Sequence, residues 1–156
     1  FYGYLSGIEN LRLAARYYPY GNMSEIKLLD ILESVGMLQY KNEKASRYSL
    51  GMKQRLGLAL AMVGNPLLYI LDEPSNGLDI EGRVDIRNII CDLAAKGDAT
   101  FVICSHLAEE IQKTCNIVGI MTEGRLITVA SMNEILSQYD SLETFYLESI
   151  KRKEAV

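Results

Sequence analysis

Residues 67–74 read Leu67-Leu68-Tyr69-Ile70-Leu71-Asp72-Glu73-Pro74, an apolar run that delivers two adjacent carboxylates at its end. The run is bounded upstream by Gly64, Asn65 and Pro66 and is too short for a helix, so it reads as a buried strand. Buried strands of this kind belong to parallel sheets, which take their ligands at the carboxyl ends of the strands. Asp72 and Glu73 stand at such an end. Successive carboxylates there suit a magnesium nucleotide, one holding the hydrated metal while its neighbour polarises the attacking water. A strand that simply ends in an acidic turn would carry the same letters.

Upstream of this strand the chain reads as helical. Ser6 and Glu9 form a capping box ahead of a first helix over residues 8–18, which Pro19 stops. A second helix over residues 25–35 aligns Ile26, Leu29 and Leu32 on one face, with Gly36 just past its end. A polar linker over residues 41–47 leads to Ser49, a good N-cap for a third helix over residues 50–63. Tyr17, Tyr18 and Tyr20 either face a partner or cover a helix end.

Downstream, strands over residues 101–104 and 117–121 alternate with helices over 81–95 and 107–113, the pattern of βαβ units in an α/β fold. Glu123-Gly124 turns the chain into a further strand over 126–130 as an edge hairpin, and helices over 133–138 and 142–153 follow. The reading divides the chain into a helical subdomain, residues 1–64, and part of an α/β core, residues 65–156.

Composition narrows the function classes. A net charge of -4 over 156 residues leaves no basic footprint with which to neutralise the phosphates of a nucleic acid. The longest apolar run, residues 56–63, falls well short of the ~18 residues that a membrane span needs. The opening stretch has neither the basic nor the apolar region of a signal peptide, and a chain that begins at Phe1 is expected to be truncated. Cys91, Cys104 and Cys115 stand far apart with no C-x-x-C pair, as in a reduced, cytosolic protein.

Three segments together carry a resemblance. Asp72-Glu73-Pro74-Ser75-Asn76-Gly77-Leu78-Asp79 resembles the Walker B motif and D-loop of ABC ATPases. Tyr48-Ser49-Leu50-Gly51-Met52-Lys53-Gln54-Arg55 is similar to the signature of that superfamily, and Ser105-His106 follows a strand as its switch histidine does. The order and spacing of the three also resemble the family's. The resemblance implies a P-loop NTPase-type α/β fold, here a helical subdomain with the C-terminal half of a mainly parallel sheet.

The same resemblance implies ATP and magnesium as cofactors, with Asp72 holding the metal through water and Glu73 acting as general base. It assigns His106, the only histidine, to the γ-phosphate and to positioning of the attacking water. Ser49 and Gly51 at a helix start offer a hydroxyl, backbone N–H groups and the positive end of a helix dipole, which is an anion site in its own right. In the family that site grips the γ-phosphate of ATP held by the opposite subunit. Asp79 reads either as an N-cap alone or as an N-cap that also makes an interface contact.

The implied partners are a second ATP-binding subunit and a transmembrane permease, with the chain peripheral on the cytoplasmic face of the membrane and ATP hydrolysis powering transport. Leu50 and Met52 replace a Gly and the Gln of the usual LSGGQ signature. That variant resembles the branch of exporters associated with antibiotic and multidrug efflux and ABC-2-type permeases. No G-x-x-x-x-G-K-[ST] occurs in the sequence, so the phosphate cradle is missing and the resemblance places it upstream of Phe1. The isolated chain is expected to be inactive. Two other readings stand beside this one: a soluble ABC-type ATPase of DNA maintenance or translation, and a non-catalytic binding or regulatory ABC-like protein. The first calls for a basic face, a long coiled coil or a tandem cassette, and the sequence shows none of them.

Overall fold

The computed structural model describes residues 1–18, 23–97 and 99–154. They fold as two units, 1–103 and 104–156, each with its own core. The first unit opens with α1 (Gly7–Ala15), α2 (Glu25–Ser34), 3-10 turns at Leu38–Tyr40 and Ala45–Arg47, and α3 (Leu50–Met62). It continues with β1 (Leu68–Asp72), α4 (Ile80–Ala95) and β2 (Thr100–Cys104), whose last residue is counted with the second unit.

Helix starts are set by local chemistry. Ser6 caps α1 in a full capping box, its Oγ accepting from the Glu9 amide while the Glu9 carboxylate accepts from the Ser6 amide at 2.7 Å. That exchange holds the Glu9 carboxyl below its usual range. Gly36, at φ +68°, ends α2 in the left-handed conformation that glycine adopts without strain. The first helix stops at Ala15, three residues before the expected end, while Pro19 and Tyr20 lie outside the described residues. Of the tyrosines there, Tyr17 and Tyr18 are exposed.

Leu11, Leu28, Leu32, Leu56, Val63, Ile86 and Ile90 form the heart of the first core, where α1, α2, α3 and α4 meet. Each such side chain, fully buried, contributes about 1.5–3 kcal/mol. The segment read as a polar linker is folded onto this core: Ala45 is fully buried, and the amides of Ala45 and Ser46 donate to the carbonyls of Leu5 and Gly3 at 2.9 and 2.8 Å. Backbone pairing, which leaves no mark on side-chain pattern, is the cause.

β1 and β2 pair directly. The Thr100 amide donates to the Leu67 carbonyl at 2.8 Å, and Tyr69 stacks on Phe101 with centroids 4.5 Å apart. Contacts that advance together along both strands mark them as parallel, with α4 as the crossover. Tyr69 and Leu71 face the helices, whereas Leu68 and Ile70 on the other face of the strand are exposed. The strand read as buried is therefore covered on one side within the described residues.

The second unit holds α5 (Ala108–Thr114), β3 (Ile117–Thr122), β4 (Arg125–Ser131), α6 (Met132–Gln138) and α7 (Leu142–Glu154). β3 and β4 form the expected antiparallel hairpin, turning at Glu123 and Gly124, both with positive φ as a tight hairpin turn requires. Val118, Met132, Ile135 and Leu142 make its small core. Among the described residues, no helix is long and apolar enough to cross a membrane.

Candidate active site

The start of α3 is anchored from behind. Tyr48 is buried and donates its hydroxyl to the Tyr40 carbonyl at 2.7 Å, fixing the residue that precedes Ser49. Burial pushes the Tyr48 phenol above its ordinary range, the Gly7 backbone opposing and the charge of Glu43 adding. Ser49 then caps the helix: its Oγ accepts from the Met52 amide at 3.3 Å, and its carbonyl accepts the first intrahelical bond, from the Lys53 amide, at 3.0 Å. The amides of Leu50 and Gly51 lie ahead of that first bond, at the positive end of the helix dipole. Ser49 itself is exposed.

The acidic pair sits where the strand gives way to a turn. Asp72 is the last residue of β1 and is exposed. Glu73 has φ +47°, an uncommon backbone for a residue with a side chain and of the sort that concentrates at functional sites. The turn closes through the Asn76 amide donating to the Glu73 carbonyl at 3.1 Å, followed by the Leu78 amide to the Ser75 carbonyl at 3.3 Å. Gly77 follows at φ +75°. Asp79 caps α4, its Oδ1 accepting from the Gly82 amide at 2.9 Å.

Helix start and turn are in contact. A Leu50 δ-carbon lies 3.0 Å from where a Cβ on Gly77 would stand, and a Leu78 δ-carbon lies 3.8 Å from the same point on Gly51. The structure thus brings the Ser49–Gly51 segment against the turn that carries Glu73 and leads to Asp79. His106 belongs to the second unit, exposed between β2 and α5, where the preceding Ser105 hydroxyl accepts from the Leu107 amide at 3.2 Å. Sequence reasoning missed Tyr48, and it missed the Leu50 contact, although the Asn76-Gly77 pair is a turn signal.

These residues fit part of a magnesium nucleotide site. Asp72 and Glu73 supply the hard oxygen donors that magnesium takes, and an ion of this kind is commonly held by one or two carboxylates together with the phosphates. The start of α3, capped by the exposed Ser49, offers donors of the kind that an anion takes. A cleft of about 330 Å³ in the same unit lies elsewhere, beside Met62, Asn65 and Tyr69 at the beginning of β1, and holds none of these residues.

Comparison with known proteins gives the same class. Residues 6–76 match the family model described as ABC transporter. The bacitracin transport ATP-binding protein BcrA of Enterococcus faecalis is 41% identical over 135 residues, covering 86% of this chain and 43% of that protein. The lantibiotic transport ATP-binding protein SrtF of Streptococcus pyogenes is 36% identical over 126 residues, covering 81% of this chain and 53% of that protein. A solved ATP binding subunit of an ABC transporter superposes with a TM-score of 0.77 at 27% identity, covering 96% of this chain and 64% of that one. An ATP-binding cassette solved in its ADP conformation, 22% identical with a TM-score of 0.74 over 92% of this chain and 63% of that one, supports the fold. The chain thus carries part of an ABC transporter domain, and its homologues are ABC transporter ATP-binding proteins. It spans about half the length of the curated relatives it matches.

Proposed function

We propose that these residues act in an ATP-hydrolysing subunit that powers export through a membrane permease, with residues 1–64 as its signature subdomain and 65–156 as part of its catalytic core. The observation that supports this most is the packing of the Ser49–Gly51 helix start against the turn behind Asp72 and Glu73. Residues 1–156 contain no G-x-x-x-x-G-K-[ST], so in the intact subunit the phosphate-binding loop is supplied from outside them. On this reading the isolated chain does not hydrolyse ATP.

Magnesium ATP, when bound, supplies the bond to be broken and a cation that offsets the phosphate charge. Asp72 holds the metal through water. Glu73 accepts the proton of the attacking water at its carboxylate, and His106 orients that water against the γ-phosphate. Ser49 and Gly51 present their hydroxyl and amide to the γ-phosphate bound by a second ATP-binding subunit, and Asp79 lies at the same interface. The subunit is peripheral on the cytoplasmic face. Relatives named for bacitracin and lantibiotic transport support peptide antibiotics as the cargo class.

Mixed dimers test the assignment. Ser49→Arg and Glu73→Gln each abolish ATP turnover when present in both subunits. A dimer that pairs one Ser49→Arg subunit with one Glu73→Gln subunit keeps one composite site free of either change and recovers turnover. Failure of the mixed dimer to recover would mean that Ser49 and Glu73 serve the same nucleotide, and the cross-subunit reading would be wrong.

A further inference from the structure

We infer that Leu50 is a positioning residue for Glu73, acting through the turn of residues 73–78; this rests on the reading of Glu73 as general base. Leu50 is the first residue of α3 and is 49% exposed, so its side chain is not retained for burial in the core. What it covers is Gly77: among the described residues, and apart from that glycine's own chain neighbours, the Leu50 δ-carbon is the one atom within 4 Å of its Cβ position. From the other side Leu78, half-buried against the first core, lies over Gly51. The two leucines each rest on the other segment's glycine, so helix start and turn interlock.

The consequence falls on Glu73. Its left-handed backbone belongs to a turn closed by the Asn76–Glu73 bond and continued by Gly77, which is also at positive φ. A glycine with no side-chain neighbour is a free pivot. Leu50 removes that freedom, and with it the swing of the turn that would redirect the Glu73 carboxylate. The signature's departure from glycine at this position is thereby an addition to the catalytic geometry. Placement matters steeply at a reacting centre, where a displacement of about 1 Å can cost on the order of 100-fold in rate.

Leu50→Ala keeps helix propensity while removing the δ-carbons, and Leu50→Met restores a long apolar side chain. Hydrogen exchange of the whole chain should show the amides of residues 76–79 opening roughly tenfold faster in Leu50→Ala and near the parent rate in Leu50→Met. Amides of residues 56–62 should be unchanged in both. In the intact subunit, Leu50→Ala should lower kcat about tenfold with KM for ATP within about twofold, and Leu50→Met should recover most of it. Unchanged exchange at 76–79, or faster exchange with full kcat, overturns the inference. Glu73→Gln measured alongside separates the two readings: if it keeps normal turnover, the base assignment fails, whatever the exchange shows.

Discussion

Arg55 of α3 pairs with Asp85 of α4, tying the two helices together one turn beyond the contact of Leu50 with Gly77. The same guanidinium passes Gly36, its Nη1 lying 3.0 Å from where a Cβ on that residue would stand. Helix α2, the signature helix and the helix after the D-loop thus meet around one side chain. Asp85 is 49% exposed, so water and salt screen the pair and its contribution is small. Asp85→Asn should lower unfolding stability by less than about 1 kcal/mol, read from the denaturant midpoint. A larger loss would mean that Asp85 carries packing that its exposure does not suggest.

Tyr48 yields a pH dependence. Its phenol is raised in the folded chain by burial, so on increasing pH the unfolded chain, titrating near 10, loses its proton first. The stabilisation is therefore complete below about pH 10 and is lost as pH rises from there through the folded value. Tyr69, raised by burial as well, acts in the same direction. At neutral pH, Tyr48→Phe should cost about 1 kcal/mol through the lost bond to the Tyr40 carbonyl. Above about pH 10 the gap between variant and parent should narrow, which stability measured at pH 7, 9 and 10.5 checks. A gap that widens would contradict the sign.

Asp79 separates capping from contact. Asn caps a helix about as well as Asp, whereas Ala does not, so Asp79→Ala should cost about 0.5–2 kcal/mol and Asp79→Asn much less. If Asp79 also works at the subunit interface, Asp79→Asn in the intact subunit should lose turnover while its thermal midpoint stays near the parent value. Full turnover in Asp79→Asn would assign it to capping alone.

The elements were readable in the sequence because their signals are local. Ser6, Ser49 and Asp79 are caps where the pattern put them, and Glu123-Gly124 turns the hairpin. Asp72 ends its strand, where the apolar run delivers the first of the two carboxylates. Ala45 was read as part of a linker, since a single 3-10 turn has no periodicity to detect. The left-handed backbone of Glu73 and the reach of Leu50 across to Gly77 depend on where two segments distant in sequence come to rest. No spacing rule reports such a contact.

Glu73→Gln tests the proposed chemistry most directly. The amide keeps the side chain's length, and the backbone at φ +47° meets the same constraint, so the turn should persist. The amide cannot take a proton from water. In the intact subunit ATP hydrolysis should therefore fall by at least ~100-fold, the low end of what a positioned general base contributes. The change also removes a negative charge near the γ-phosphate. A like-charge contact at ~4 Å is worth up to about 4 kcal/mol at an effective dielectric near 20, before the metal and solvent offset most of it. Dimers holding ATP should accumulate as a result. Asp72→Asn weakens metal binding instead and should lose turnover without that accumulation. Phosphate release, followed together with size-exclusion chromatography in magnesium ATP, distinguishes the two variants. Near-normal turnover in Glu73→Gln would remove Glu73 as the base and pass the role to another group, with His106 the first to examine.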